Sequence, residues 1–264
     1  MSELCLKILD ANMKTLLVGR GEDEVNLVFS QEYKEGDRII LETSEKGMYI
    51  WLQFDDALGR SMIYLTGNVT FHIPFGEKRV SLSPKAFWGR KHLISAKAAK
   101  DFEVTAYRNL AINVCDQHGI ENLYPHATAN VETRGESIFA AQNAIDGVTV
   151  NHCHGEWPYE SWGINMQDDA RMRIDFGRKV SADRIILYTR ADFPHDNWWK
   201  QVSFSFSDGS GLTMEMEKSE KPHEIVFEEK QITWLEMHDM KKADDPSPFP
   251  ALSQIEVYGK EIME

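Results

Sequence analysis

The apolar residues of this 264-residue chain fall mostly in short alternating runs, each closed by turn-forming residues. In the first half such runs occupy residues 4–9, 15–18, 24–29, 38–42, 48–54, 61–65, 69–73 and 92–96. Between them lie Gly19-Arg20-Gly21, Glu35-Gly36-Asp37, Glu45-Lys46-Gly47, Gly67-Asn68 and Ser83-Pro84. A two-residue apolar period puts alternate side chains on one face of an extended strand, and Gly, Asn, Asp and Pro reverse the chain between strands. Tyr49, Trp51 and Gln53 alternate with Ile50, Leu52 and Phe54, so 48–54 is expected to be covered on both faces. No amphipathic helix interrupts the series; residues 84–100, with alanines and lysines towards their end, suggest only a helical turn or two. Strands of this length and spacing confine the chain to a β-sandwich or jelly roll.

The second half continues the pattern. Residues 102–107 and 108–115 read as strands, the latter through Leu110, Ile112 and Val114, and polar 116–125 reads as a connection. Met172, Ile174 and Phe176 alternate with Arg171, Arg173 and Asp175; Ile185 and Leu187 share a face of 182–188. Val202, Phe204 and Phe206 alternate with serines before the turn Asp208-Gly209-Ser210, and strands are expected at 224–227, 232–237 and 253–258. Residues 137–145 are the helical candidate, with Ser137 as N-cap. The fold class is therefore all-β, with two β-sandwich (jelly-roll) domains at 1–118 and 119–264, each long enough to bury a core.

Composition narrows the partners. The formal net charge of -13 disfavours nucleic acid and anionic membrane, since phosphate binding needs clustered Lys and Arg. Cys5, Cys115 and Cys153 match neither a closed disulfide framework nor a zinc spacing. The first residues lack a basic region followed by a long apolar run, and no uncharged run approaches the ~20 residues of a membrane span. A cytoplasmic location is the expectation.

The second half carries an ordered set of fragments. These are Ala129-Asn130-Val131-Glu132, Ala141-Gln142-Asn143-Ala144-Ile145-Asp146-Gly147, Trp157 and Trp162, and Met172-Arg173-Ile174-Asp175-Phe176-Gly177. Ala182-Asp183-Arg184-Ile185-Ile186-Leu187-Tyr188, Phe204-Ser205-Phe206-Ser207-Asp208-Gly209 and Leu252-Ser253-Gln254-Ile255-Glu256-Val257-Tyr258-Gly259 follow. In order and spacing they resemble the discoidin domain, also called the coagulation-factor (F5/8) C-type domain. This is the galactose-binding-like jelly roll of many carbohydrate-binding modules, and the resemblance spans roughly residues 119–260. It implies an antiparallel jelly roll with ligand-binding loops gathered at one end. Members bind sugars, lipid headgroups or proteins, and most are not catalytic. The first half carries no motif of this kind.

The resemblance also implies a structural calcium at the Asp-Gly turn, with Asp146 and Thr149 as hard oxygen ligands. Where members carry a glutamate near the last strand, this chain has Gln254, which removes a charge. No other cofactor is required.

The loop spanning 189–200 places Phe193, Trp198 and Trp199 beside Arg190, Asp192, His195, Asp196 and Asn197. Planar apolar faces next to directional hydrogen-bonding groups suit a sugar ring. Arg190 stands where the resemblance implies an arginine in carbohydrate-binding members, and its guanidinium fork can engage two vicinal hydroxyls. The loop spanning 148–162 adds His152, His154, Glu156, Trp157 and Trp162. The leading expectation is a non-catalytic carbohydrate-binding protein that uses these residues. Two alternatives stay open. One is a metal-dependent hydrolase or glycan-processing enzyme, with His152, His154 and His195 or His238 on a metal and Glu156 and Asp196 as acid and base. The other is a protein-interaction module that meets a partner or a second copy of the chain. The proline-rich stretch 238–250 is read as a loop, either bordering the site or lying along the sandwich flank.

Overall fold

The computed structural model describes residues 2–191 and 196–262. The first half contains β1 (Glu3–Leu9), β2 (Thr15–Glu22), β3 (Glu24–Phe29), β4 (Arg38–Thr43), β5 (Met48–Gln53), β6 (Ser61–Leu65), β7 (Val69–His72) and β8 (His92–Ala98). Each of the runs expected there is a strand. One sheet has the order β2-β1-β4-β7. The second has β6-β5-β8-β3, completed at its β6 edge by β10 (Leu123–Tyr124). Leu4, Leu6, Ile8 and Ile39 of the first sheet share one buried cluster with Leu27, Ile50, Leu52 and Ile94 of the second, so the sheets pack face to face. The outer face of β5 is partly covered: Tyr49 lies against Tyr64 at 5.0 Å, and Arg60 sits 5.5 Å over Trp51.

Residues 102–107 differ from their expected strand. Asp101–Val104 forms a short helix, α1, because Glu103 Oε2 accepts the Lys100 backbone N–H (2.8 Å) and closes its first turn. Glu103 Oε1 accepts the Trp51 indole N–H at 3.0 Å, which fixes α1 on the sheet. Within 108–115 only β9 (Arg108–Asn109) is extended. Asn109 and Asn113 each accept a backbone N–H two residues on, from Ala111 and Cys115, and these Asx turns break the alternation. Residues 137–145 form two 3-10 turns, Ser137–Phe139 and Ala141–Ile145, and the Ser137 hydroxyl donates to the Glu77 carbonyl instead of capping a helix.

In the second half follow β11 (His126–Ala129), β12 (Trp162–Gly163), β13 (Met172–Thr189), β14 (Asp196–Asn197), β15 (Trp199–Phe206), β16 (Gly211–Glu215), β17 (His223–Lys242) and β18 (Phe249–Glu261). β13 and β17 are far longer than ordinary strands because each serves both layers of the sandwich. Residues 172–175 of β13 lie between β11 and the 234–237 part of β17, which continues to β15 and β16. Residues 180–189 lie between the other end of β17 and β18. The register shifts between Asp175 and Val180, where Gly177 has φ +67° and a Cβ would meet the Tyr124 ring at 2.4 Å. Ile174, Phe176, Ile185, Leu187, Phe204, Leu235 and Val257 fill the core between the layers. The expected strands 224–227 and 232–237 are thus one element. The expected loop begins only after Lys242, since the end of β17 pairs with β15.

The connection is interleaved. Leu110 and Ala111 belong to the second core, Cys115, Ile120 and Leu123 return to the first, and β11 joins the second again. Asp116, buried in this crossing, accepts His126 Nδ1 at 2.6 Å and the Ala127 N–H at 2.9 Å. The fully buried Glu261 carboxylate ties the halves together through Arg108 (2.5 Å), Arg178 (2.5 Å) and the Tyr49 hydroxyl (2.9 Å).

Candidate functional site

A cavity of about 600 Å³ opens where the end of β13, β14, the start of β18 and the turn after β12 meet. Its floor is an ion pair. Arg190 follows β13 and is 1% exposed; its Nε lies 2.7 Å from Asp196 Oδ2 on β14. Arg190 Nη1 also donates to the Tyr159 carbonyl (2.9 Å) and lies 3.4 Å from Ser161 Oγ. Burial lowers the Arg190 pKa, and the Asp196 carboxylate opposes that shift. The guanidinium therefore holds three chain segments in register. A buried pair of this kind fixes geometry more than it adds stability.

The walls contain Arg134, Phe139, His154, Asn165, Met166 and Phe249. Arg134, Asn165 and Met166 have φ of 55°, 50° and 59°; they are three of the eight non-glycine residues with positive φ among those described. Such conformations cost on the order of 1 kcal/mol each and concentrate where a chain is shaped for a ligand. The Thr133 hydroxyl accepts the Asn165 N–H at 3.0 Å and leaves no room for a side chain at Gly163, where a Cβ would sit 2.6 Å from Oγ1. Glu136 grips the Arg134 guanidinium twice, at 2.6 and 2.7 Å, and the cation lies 5.4 Å over the Phe139 ring. Phe249 is 44% exposed.

Of the residues expected at a site, His154, Arg190 and Asp196 line this cavity. Trp162 and Trp199 do not and are removed from the ligand set: at 0% and 1% exposure both belong to the core, because each begins a strand with its side chain on the inner face. The Trp162 indole donates to the Val131 carbonyl at 3.0 Å. Asn197 is buried and bonds the Ala243 carbonyl and the Trp198 N–H. Trp198 is half-buried and lies away from the cavity lining. His152 and Glu156 are exposed on the 148–162 loop, and Trp157 lines a different cavity. Asp192 and His195 lie outside the described residues. The cavity is also lined by Arg134, Phe139, Asn165 and Phe249, which residue type alone did not single out. Only Phe249, an aromatic between Pro248 and Pro250, carried a signal of exposure.

The residues expected around a calcium ion are placed differently. Thr149 is exposed, and Gln254 is buried with its Oε1 accepting the Gly147 N–H at 3.0 Å. Glu160 is 2% exposed, and its Oε1 is buried without a hydrogen-bond partner, as is Asn151 Oδ1. The Trp157 indole lies near enough to favour the charged Glu160, yet burial still raises its pKa. Burial, then the neighbouring Glu160 charge, holds the Asp146 carboxyl well above the usual range. The buried Glu160 carboxylate, the half-buried Asp146 carboxylate and an orphan amide oxygen are the hard oxygen donors a calcium ion takes. Among the described residues no three His, Cys, Asp or Glu side chains are grouped for a metal. His238 is bonded instead by Ser205 (2.7 Å) and Asp239 (3.0 Å) and lines another cavity than His154.

No family model matches the chain, and no curated protein matches it. Solved structures similar to it include chitosan-binding module 1 from a chitosanase/glucanase of Paenibacillus sp. IK-5. The two are 19% identical with a TM-score of 0.40, over 57% of this chain and 98% of that one. A Streptococcus pneumoniae fucose-binding module is 15% identical (TM-score 0.40), over 58% of this chain and 98% of that one. A family 32 carbohydrate-binding module from C. perfringens NanJ, solved with galactose, is 15% identical (TM-score 0.39), over 50% and 91%.

Proposed function

We propose that this protein binds a saccharide, without transforming it, in the cavity bounded by Arg134, Phe139, His154, Asn165 and Phe249. One observation carries the reading: a cavity of small-ligand size is lined by two phenylalanine rings together with directional polar groups and a buried Arg190–Asp196 pair. Phe249 supplies an exposed apolar face for a pyranose ring, while Asn165 and His154 offer hydrogen bonds to its hydroxyls. Arg190 acts from below by holding the floor, since its Nε and Nη1 are engaged by protein oxygens. A calcium ion held by Asp146, Glu160 and Asn151 would brace the adjoining loop, offsetting the repulsion between the two carboxylates.

The test is a glycan array on the intact protein, with titration calorimetry of retained sugars against Phe249→Ala. The expected result is retention of a defined set of glycans and at least a tenfold loss in the variant. An empty array, or unchanged affinity in Phe249→Ala, would overturn the reading.

A further inference from the structure

The loop spanning 148–162 borders two cavities. His154 lines the one described above; three residues on, Trp157 lines another of about 750 Å³. The remaining wall of this second cleft comes from the first half of the chain and includes Asp55, Asp56, Lys85, Trp88, Lys91 and His92. We propose that the cleft is a second saccharide site, in which the indoles of Trp88 and Trp157 stack on neutral sugar rings while Asp56, Lys85 and Lys91 bond their hydroxyls. The proposal takes its ligand class from the function proposed above but not its location.

Trp88 is 70% exposed, yet it is held in place. The preceding Phe87 has φ 54°, in the left-handed region that an aromatic residue seldom enters. That conformation sends two successive aromatics apart. Phe87 is buried against Phe71 (5.6 Å) and Tyr33 (5.9 Å), and Trp88 stands out. The bend is anchored from beneath: Asp55 Oδ2 accepts the Phe87 N–H and pairs with His92 Nδ1, each at 3.1 Å, with both side chains buried. Arg79 donates to the Pro84 carbonyl at 2.7 Å, which sets its guanidinium 5.0 Å over one face of the indole. With one face backed by a cation and most of the ring still exposed, the opposite face is available to a ligand. A strained backbone that presents a rigid aromatic platform is the form of a binding site rather than of a solvated loop.

The cleft's charges decide the ligand class. Lys85 and Lys91 oppose a cation, the exposed Asp56 opposes an anion, and two indoles favour a flat apolar face. A neutral sugar ring satisfies all three. Trp157 is 36% exposed and brings the second indole to the cleft. Because one loop borders both cavities, a polysaccharide engaging both would bind more tightly than its fragments through raised effective concentration.

The experiment is titration calorimetry of the intact protein with tetrasaccharides of β-1,4-linked N-acetylglucosamine, glucose and galactose, applied to wild type, Trp88→Ala, Trp157→Ala and Phe249→Ala. Circular dichroism checks the fold, which the exposed Trp88 should not disturb. Wild type is expected to bind two equivalents of at least one probe. Trp88→Ala and Phe249→Ala should each retain one, of different affinity, and Trp88→Phe should recover part of the lost one. Binding unchanged in Trp88→Ala overturns the second site and leaves the first. An equivalent lost in Trp88→Ala but not in Phe249→Ala supports the second site and overturns the first. No binding of any probe to wild type overturns the second site.

Discussion

Two segments around the first cavity make opposite use of similar residues. The 189–200 loop is crowded with aromatic and charged groups, yet Trp199 and Arg190 are almost fully buried. The proline-rich 246–250 stretch is plainer in composition, yet it puts Phe249 at the cavity mouth. The difference is backbone. Both residues open a strand, but Trp199 takes an inward position of the β15 alternation, whereas Phe249 takes an exposed position at the start of β18. Residue type says what a side chain could bind; its register position decides whether it is free to do so.

This contrast can be broken by substitution. Trp199→Ala should cost about 3–5 kcal/mol of folding stability through the cavity it leaves, read as a fall in the urea midpoint. A loss below about 1 kcal/mol would return Trp199 to the surface. Arg190→Ala should also cost a few kcal/mol, because it strands the buried Asp196 carboxylate. Any loss of binding would then accompany unfolding, and Arg190→Ala with native stability but no sugar affinity would instead make the guanidinium a direct ligand contact. By the same reasoning Phe249→Ala should change stability by less than about 0.5 kcal/mol while weakening binding in the first cavity at least tenfold.

A smaller effect concerns the cation. Calcium should raise the melting temperature of the wild type, and Glu160→Gln should largely remove that response while Gln254→Glu leaves it in place. An equal calcium response in Glu160→Gln would contradict the ligand set. The smallest effect is on pH. The buried Asp116 carboxyl is raised by burial, and His126 is raised by its bond to Asp116 against the opposing effect of its own burial. Both folded-state values lie above the unfolded ones, so both groups bind protons more tightly when folded. Their stabilisation is present at low pH and is lost as pH rises through the folded values, about the histidine range and above for His126. Melting temperature should therefore fall between about pH 6 and pH 8, and His126→Gln should flatten that slope.

The strands of both halves were legible because alternation and turn residues are local signals: β3, β15 and the outer runs of β13 and β17 could be read directly. The long strands were not, since a register shift that carries one strand between two layers has no composition of its own. Glu103 turned an apparent strand into α1 through a single hydrogen bond, which alternation does not encode. Of the residues singled out by type, Arg190, Asp196 and His154 line the first cavity. Arg134 and Asn165 were not singled out, because their role rests on left-handed backbone conformations that non-glycine residues do not announce. Glu160 escaped notice because its burial follows from how two distant loops pack.

The most direct test of the central claim is a crystal structure of the protein soaked with a saccharide retained on the array. The account predicts a sugar ring in the first cavity, packed on Phe249 and bonded by Asn165 or His154, with the Arg190–Asp196 pair unbroken beneath it. A sugar bound instead against Trp198, with the Phe249 cavity filled only by solvent, would contradict it.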